Sequence, residues 1–431
     1  MARAAVMRFQ TLSDWLRWQE TLHPNRIDLR LERVGGVWSR LGPARLPCPV
    51  ITVGGTNGKG SCVAYLDSLY RAAGYRACAY TSPHLLRYNE RIRIDGREAD
   101  DAAVCDSFAR IDAVRGDVQL TYFEFGTLAA LDLFLRAEPD VIILEVGLGG
   151  RLDAVNIIDA DVALVASVGM DHTAWLGDDL SQIAYEKAGI FRAGRPAVIG
   201  QPDAPARLRE RAVELGAEVY QLGREFGNRI EAGQWHWHGS ADSHWGALPP
   251  PALRGPVQYD NASAALCAAS LLKTTLPVSA AAVRQGLLRT QLPGRFTVFP
   301  GAVTWILDVA HNAEAAQTLA ANLAAYPRSG RCHAVFSLLA DKDAVAVVAA
   351  LAAQVQHWHL APAPSARAMP LDQLQAAVAT AASDRPVVHY ADVEQAIAGA
   401  AAVAEPNDCI LVFGSFMTVE VALRNPTVGS V

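Results

Sequence analysis

Short apolar, β-branched runs recur along the first part of the chain, and stretches with helical spacing separate them. Pro49–Val53, Ala77–Tyr80, Val141–Val146, Val162–Val168 and Pro196–Gly200 read as strands. Ser61–Ala73, Asp101–Val114, Phe125–Ala137 and Leu180–Phe191 read as the helices between them. This alternation predicts a mostly parallel sheet with crossover helices. Between about 218 and 258 the pattern changes: Gln234-Trp235-His236-Trp237-His238-Gly239 alternates like an exposed hairpin strand, and Pro249-Pro250-Pro251 breaks any helix. Helices over Asn261–Leu272 and Ser279–Leu288 follow, then Leu292-Pro293-Gly294-Arg295. A second α/β series opens at Thr304–Val309 and continues with strands near 333–338, 355–360, 386–390 and 409–413, separated by Ala-rich helices. The expected fold class is α/β in two domains, a mononucleotide-binding domain over 1–298 and a smaller Rossmann-like domain over 299–431. A cleft between two such domains is a favoured place for a ligand.

Composition narrows the function. A chain of 431 residues is long for one core, and 51% hydrophobic against 19% charged describes a well-filled globular protein. A formal charge of -6 gives no electrostatic case for nucleic acid, so any phosphate must be held by a few local groups. The seven cysteines stand alone, which predicts reduced, mostly buried thiols. Met1-Ala2-Arg3-Ala4-Ala5-Val6 runs into Asp14, Arg17 and Glu20 with no signal-peptide pattern, and no apolar run is long enough to span a membrane. The expected compartment is the cytoplasm, and a two-domain monomer needs no partner.

The strongest chemical signal is a glycine loop. The buried-type strand Val50-Ile51-Thr52-Val53 runs straight into Gly54-Gly55-Thr56-Asn57-Gly58-Lys59-Gly60-Ser61, and Ser61 opens a helix. Glycines let backbone N–H groups close around phosphate oxygens, a helix N-terminus adds partial positive charge, and Lys59 supplies a mobile cation. The spacing departs from the common phosphate loop, because Val53 occupies the first glycine position and Gly60 separates Lys59 from Ser61. A plain Gly-rich turn with a surface lysine is the competing reading; the strand before and the helix after favour phosphate binding.

Gly55 through Ser61 resembles the loop of the Mur-ligase superfamily, and the rest of the chain resembles the bacterial dihydrofolate synthase/folylpolyglutamate synthase family. The matches run through Ile27–Arg33, Thr81-Ser82-Pro83-His84-Leu85, Glu90-Arg91-Ile92, Thr121–Glu124 and Glu145–Asn156. They continue through Asp171-His172, Glu186–Ile190, Pro293-Gly294-Arg295, Asp308–Asn312, Asp341-Lys342-Asp343 and Gly414-Ser415-Phe416.

Glu145 ends an apolar strand, where ligands collect in open α/β sheets, and a carboxylate there suits Mg²⁺. The resemblance implies that Ser82 shares this ion, that His172 serves a second metal site and that Lys187 is carbamylated. From the residues alone, Ser82 is a turn serine and Lys187 a solvated lysine paired with Glu186 or Asp178. It further implies ATP held by Gly55, Thr56, Asn57, Gly58, Lys59, Gly60, Ser61, Asn261, Arg295 and Asp308, with two Mg²⁺ ions. Asn261 alone reads as a helix N-cap, Arg295 as surface charge and Asp308 as a strand-end carboxylate. His311 and Ser415 would face the incoming glutamate.

For the acyl substrate, Thr121, Phe123, Asp153 and Ala154 match positions that meet a pterin ring, and Asp28 and Leu29 lie in a segment that covers it. Phe123 and Glu124 together offer stacking and hydrogen bonding, although Phe123 also fits core packing. The implied reaction is ATP-dependent amide formation through an acyl phosphate, with dihydropteroate and reduced folates as acceptors of L-glutamate. A monofunctional folylpolyglutamate synthase, a Mur-type ligase acting on a UDP-sugar acid and a regulatory nucleotide-binding module are the alternatives. The chain before the loop is short for an added uridine-nucleotide domain, and Glu145, His172, Lys187 and His311 argue against a silent module. His236/His238 and His357/His359 read as strand decoration rather than metal ligands.

Overall fold

A computed structural model of the protein describes residues 7–25, 27–231, 234–239 and 243–428. Met1–Val6, on which the expectation of no signal peptide rests, lies outside them. The chain divides into two units. One holds the chain up to His84 with Tyr88–Ala252 and Tyr259–Thr290; the other holds Leu85–Arg87, Leu253–Gln258 and the chain from Gln291 on.

In the first unit the strands are β1 (Val50–Gly54), β2 (Ala77–Tyr80), β3 (Ile92–Ile94), β4 (Arg97–Glu98), β5 (Val141–Glu145), β6 (Val162–Val165), β7 (Pro196–Ile199) and β8 (Glu218–Gln221). They form one sheet in the order β4-β3-β2-β5-β1-β6-β7-β8. All neighbours are parallel except at the β3 and β4 edge. Every residue of β1 and β5 is buried, which is why these strands are continuously apolar instead of alternating. The helix Lys59–Ala72 packs under the sheet and is approached closely by the helix Ala280–Arg289. A Cβ at Gly286 would lie 2.9 Å from the Leu69 Cα, and Ser68 Oγ donates to the Gly286 carbonyl at 2.8 Å.

A three-stranded antiparallel sheet, β9 (Gly227–Glu231), β10 (Gln234–His238) and β11 (His244–Leu248), follows. The alternating segment is its middle strand, not an exposed one: Trp235 and Trp237 are buried, and the ring of Trp237 lies 4.7 Å from that of Trp245.

The second unit holds β12 (Thr297–Phe299), β13 (Thr304–Asp308), β14 (Cys332–Phe336), β15 (His357–Leu360), β16 (Val387–His389) and β17 (Cys409–Phe413). Their order is β12-β13-β17-β14-β15-β16, parallel except for β12. Separate apolar clusters cover its two faces, one around Phe336, Trp358 and Leu374, the other around Trp305, Ile397 and Val412. Both sheets are therefore of the mostly parallel α/β kind that the alternating runs predict. Six of the seven cysteines are buried. No helix of the described residues is long and apolar enough to cross a membrane.

Candidate active site

The candidate site of the first unit grows from the carboxyl end of β1. Gly55 (φ +143°) and Gly58 (φ +83°) take backbone conformations that L side chains rarely adopt, and Gly58 caps the helix that starts at Lys59. That helix begins two residues before the expected Ser61, which is buried in its first turn. The loop is tied down by the chain leaving β6. Thr56 N–H donates to the Ser167 carbonyl at 2.8 Å, Thr56 Oγ1 to the Gly169 carbonyl at 3.0 Å, and Asn57 N–H to Ser167 Oγ at 3.0 Å. Ser167 and Gly169 are supports that sequence reading missed, since nothing marks them before the β1–β6 pairing is known. Lys59 folds back, its Nζ donating to the carbonyls of Gly55 and Thr56 at 3.0 Å each. A Cβ at Gly58 would lie 2.5 Å from Asn261 Oδ1, so the Asn261 amide rests against the loop. Asn261 is not an N-cap, because its helix begins at Val257.

Register brings the candidate metal ligands to this loop. Val53 and Glu145 are paired positions of β1 and β5, and Tyr80 of β2 pairs with Leu144. Ser82 therefore emerges beside Glu145, and its N–H donates to Glu145 Oε2 at 3.2 Å. Glu145 is only 4% exposed. A narrow hollow of about 10 Å³ lies alongside, lined by Gly55, Thr56, Lys59, Gly147, His172 and Lys187 among others. His172 sits at φ +52° and starts the short helix Thr173–Leu176. Lys187 is not solvated but 3% exposed, and its expected partner Glu186 is engaged by Arg151, whose Nη2 donates at 2.8 Å. Among the described residues no three or more His, Cys, Asp or Glu are arranged to hold a metal ion.

The candidate acyl pocket is more built than its sequence suggests. Thr121 and Glu124 form a capping box at the start of the helix Tyr122–Ala137. Glu124 accepts from Thr121 N–H at 2.7 Å and, on both oxygens, from Arg33 at 2.8 and 3.1 Å. Its carboxylate is thus committed to structure, not offered to a ring. Arg33 also reaches Asp28 at 3.0 Å. Burial works to raise the Asp28 pKa, but Arg33, Arg30 and His23 together hold it below the usual value. Leu29 beside it is half-buried. The Phe123 ring lies 5.9 Å from Tyr80 and so close to Gly147 that a Cβ there would sit 2.5 Å from it. Asp153 caps the turn Ala154–Ile157 and accepts from Leu148 N–H at 2.8 Å and Val155 N–H at 3.1 Å. Burial nevertheless pushes its pKa up to about 7, against those N–H groups and the Lys59 cation. Ala154 beside it is buried.

The second unit carries its own cluster at the carboxyl end of its sheet. Asp308 of β13 pairs with Phe413 of β17, so Asp308–His311 and Gly414–Phe416 leave the sheet side by side. Asp308 accepts from Phe296 N–H and Ala310 N–H, both at 2.8 Å. Burial raises its pKa, while Arg295, those N–H groups and His311 oppose the rise. The Arg295 guanidinium lies 5.2 Å above the Phe416 ring, and the His311 ring is 6.3 Å from it. Phe416 was passed over as a site residue, yet its ring neighbours both Arg295 and His311. His311 Nδ1 faces the Val309 carbonyl at 2.8 Å, and Ser415 is buried as the N-cap of the helix Phe416–Arg424.

His357 and His359 are more than decoration. His359 Nδ1 meets Tyr390 Oη at 3.1 Å, His333 Nε2 meets Asp408 Oδ2 at 3.2 Å, and the His333 and His357 rings stack at 4.7 Å. A hollow of about 630 Å³ lined by Arg328, Arg331, Gln356 and Asp408 opens nearby. It lies at the amino ends of β14, β15 and β17, the side away from where such sheets collect ligands.

Residues 294–416 match the family model described as Mur ligase, glutamate ligase domain. Along its length the chain is 44% identical to the dihydrofolate synthase/folylpolyglutamate synthase of Escherichia coli over 412 residues, 95% of this chain and 94% of the relative. It is 38% identical to the enzyme of the same description from Haemophilus influenzae, over 95% of this chain and 96% of the relative. Among solved structures, it is similar to E. coli FolC in complex with DHPP and ADP, with TM-score 0.90, 43% identity and 98% of each chain covered. It is also similar to a bifunctional folylpolyglutamate synthase/dihydrofolate synthase with Mn, AMPPNP and L-glutamate bound, with TM-score 0.88 and 43% identity over 97% of this chain and 98% of that one.

Proposed function

The chain belongs to the dihydrofolate synthase/folylpolyglutamate synthase family, and on that premise we propose that it ligates L-glutamate to dihydropteroate and to reduced folates with conversion of ATP to ADP. The observation that carries this reading is the pairing of Val53 with Glu145, which sets a buried carboxylate beside the phosphate loop in a chain so close to known ligases.

The acyl carboxylate attacks the γ-phosphate, giving an acyl phosphate and ADP; the glutamate amine then attacks the acyl carbon and phosphate leaves. The protein's part is positioning and charge neutralisation. Gly55–Ser61 and Lys59 hold the phosphates, with Asn261, Arg295 and Asp308 as further ATP contacts. Glu145 and Ser82 offer the oxygen donors that suit Mg²⁺, and His172 serves a second ion. When bound, the metal neutralises phosphate charge. Lys187 is buried on the wall of the same hollow as Lys59, where its carbamylated form would present an anionic oxygen donor. His311 Nδ1–H donates to Val309, which leaves Nε2 as the nitrogen that takes a proton from the glutamate ammonium. Thr121, Phe123, Asp153 and Ala154 receive the pterin, with Asp28 and Leu29 on the covering segment.

Glutamate-dependent ADP release, measured with dihydropteroate, with a reduced folate and with a UDP-sugar acid, tests this directly. Turnover with both pteroates is expected; turnover only with the folate would leave a monofunctional folylpolyglutamate synthase, and turnover only with the sugar acid would overturn the reading. Asp153 adds a pH dependence. Its ionised form is the better acceptor for ring N–H groups, so the KM for dihydropteroate is expected to fall as pH rises through about 7. Asp153→Asn should flatten that profile, and an unchanged profile would remove Asp153 from the pocket. The same raised pKa works on stability: the contribution is full below the ordinary value of 3.8 and is lost as pH rises through about 7.

A further inference from the structure

Three buried hydroxyls stand in line at the carboxyl ends of β14 and β17. Ser337 Oγ bonds Thr418 Oγ1, and Thr418 Oγ1 bonds Ser415 Oγ at 2.6 Å. Ser415 Oγ also accepts from Thr418 N–H at 3.0 Å. Ser337, Thr418 and Ser415 are 0%, 0% and 4% exposed. The alignment follows from register. Phe336 and Phe413 are paired, so Ser337 and Gly414 leave the sheet together. Gly414, at φ +111°, brings its backbone so near that a Cβ would lie 1.9 Å from the Ser337 carbonyl oxygen.

Each hydroxyl has a single hydrogen, so the line runs in one of two directions, or Thr418 Oγ1 accepts from both neighbours and its own hydrogen has no acceptor in the line. Running from Ser337 to Thr418 to Ser415, both inner hydrogens find acceptors and the Ser415 hydrogen is left for a substrate. Running the other way, the Ser337 hydrogen would need another acceptor, and none is found among the described residues. A buried donor without an acceptor is disfavoured, and only in the first direction does the last hydrogen fall on the residue read as a glutamate contact, where the substrate supplies the acceptor. We propose that Ser337 and Thr418 are positioning residues that fix Ser415 as a hydrogen-bond donor to a carboxylate of the incoming glutamate. This rests on the reading of Ser415 as a glutamate contact. The polarity follows from the ligand: glutamate accepts hydrogen bonds only through its carboxylates, while its ammonium only donates. Ser415 and His311 then present opposite hydrogen-bonding characters, a donor for the carboxylate and an acceptor for the ammonium.

The test is steady-state kinetics with glutamate varied at saturating ATP and dihydropteroate, with a thermal melt of each variant. Ser415→Ala and Thr418→Val should each raise the glutamate KM about tenfold, the worth of one hydrogen bond to a charged group, with kcat little changed. Thr418→Ser should restore the KM, and Ser337→Ala should raise it several-fold. If Ser415→Ala raises the KM while Thr418→Val and Ser337→Ala do not, the line of hydroxyls does not position Ser415. If Ser415→Ala leaves the KM unchanged, the assignment of Ser415 to glutamate falls instead. Should Thr418→Val melt early, Ser337→Ala decides, since it removes one oxygen and leaves the packing otherwise intact.

Discussion

Lys59→Ala is expected to slow glutamate-dependent ADP release by about a thousandfold, roughly 4 kcal/mol of transition-state stabilisation, with little change in melting temperature. In the proposed reaction the ammonium is the cation that meets the phosphates, and it donates to the carbonyls of Gly55 and Thr56 at 3.0 Å each. Exchanging those two neutral acceptors for phosphate oxygens keeps its hydrogen bonds and strengthens them with charge. Alanine removes the cation, while the loop keeps its ties to Ser167 and Gly169. Lys59→Arg should also be slow, because a planar guanidinium cannot pivot between two carbonyls as an ammonium does. Single-turnover ADP release checks both variants. A Lys59→Ala rate near that of the parent would mean that the loop binds phosphate without its cation.

Gly414→Ala should be the most damaging small substitution in the second unit. Alanine pays for a φ of +111°, and its Cβ would meet the Ser337 carbonyl oxygen, a backbone atom that cannot turn aside. A loss of about 4 kcal/mol or more is expected, lowering the melting temperature by roughly 10 °C. Gly74→Ala is the control: its φ is +88°, but nothing lies within 4 Å, so only the backbone cost of about 1 kcal/mol applies. Thermal melts of the two variants compare them directly. If both lose stability equally, the close approach of β14 and β17 is not rigid.

Much of the fold was legible because its strands are buried on both faces. Val141–Val146, for example, reads as strand from its apolar run alone and is one over Val141–Glu145. What sequence reading missed was local capping and sheet register. The helix expected from Phe125 starts at Tyr122, and the signal was present: Thr121-x-x-Glu124 is a capping box, whose carboxylate was read instead as a hydrogen-bonding group for the ring. Lys187 was read as solvated because Glu186 adjoins it in sequence, yet Arg151 takes that glutamate from another loop. Ser167, Gly169, Ser337 and Thr418 carry no motif of their own. Their roles follow from which strands are neighbours, and that order, β1 between β5 and β6 or β17 between β13 and β14, is not written in any single run of residues.

The Arg33–Glu124 pair has a conformational consequence. One carboxylate, 3% exposed, both caps the helix that carries Phe123 and holds the segment bearing Asp28 and Leu29. Swinging that segment outward would strand the carboxylate without its cation, at about 3–5 kcal/mol for a broken buried pair. Such a penalty makes the outward state rare, about one molecule in a hundred to one in several thousand.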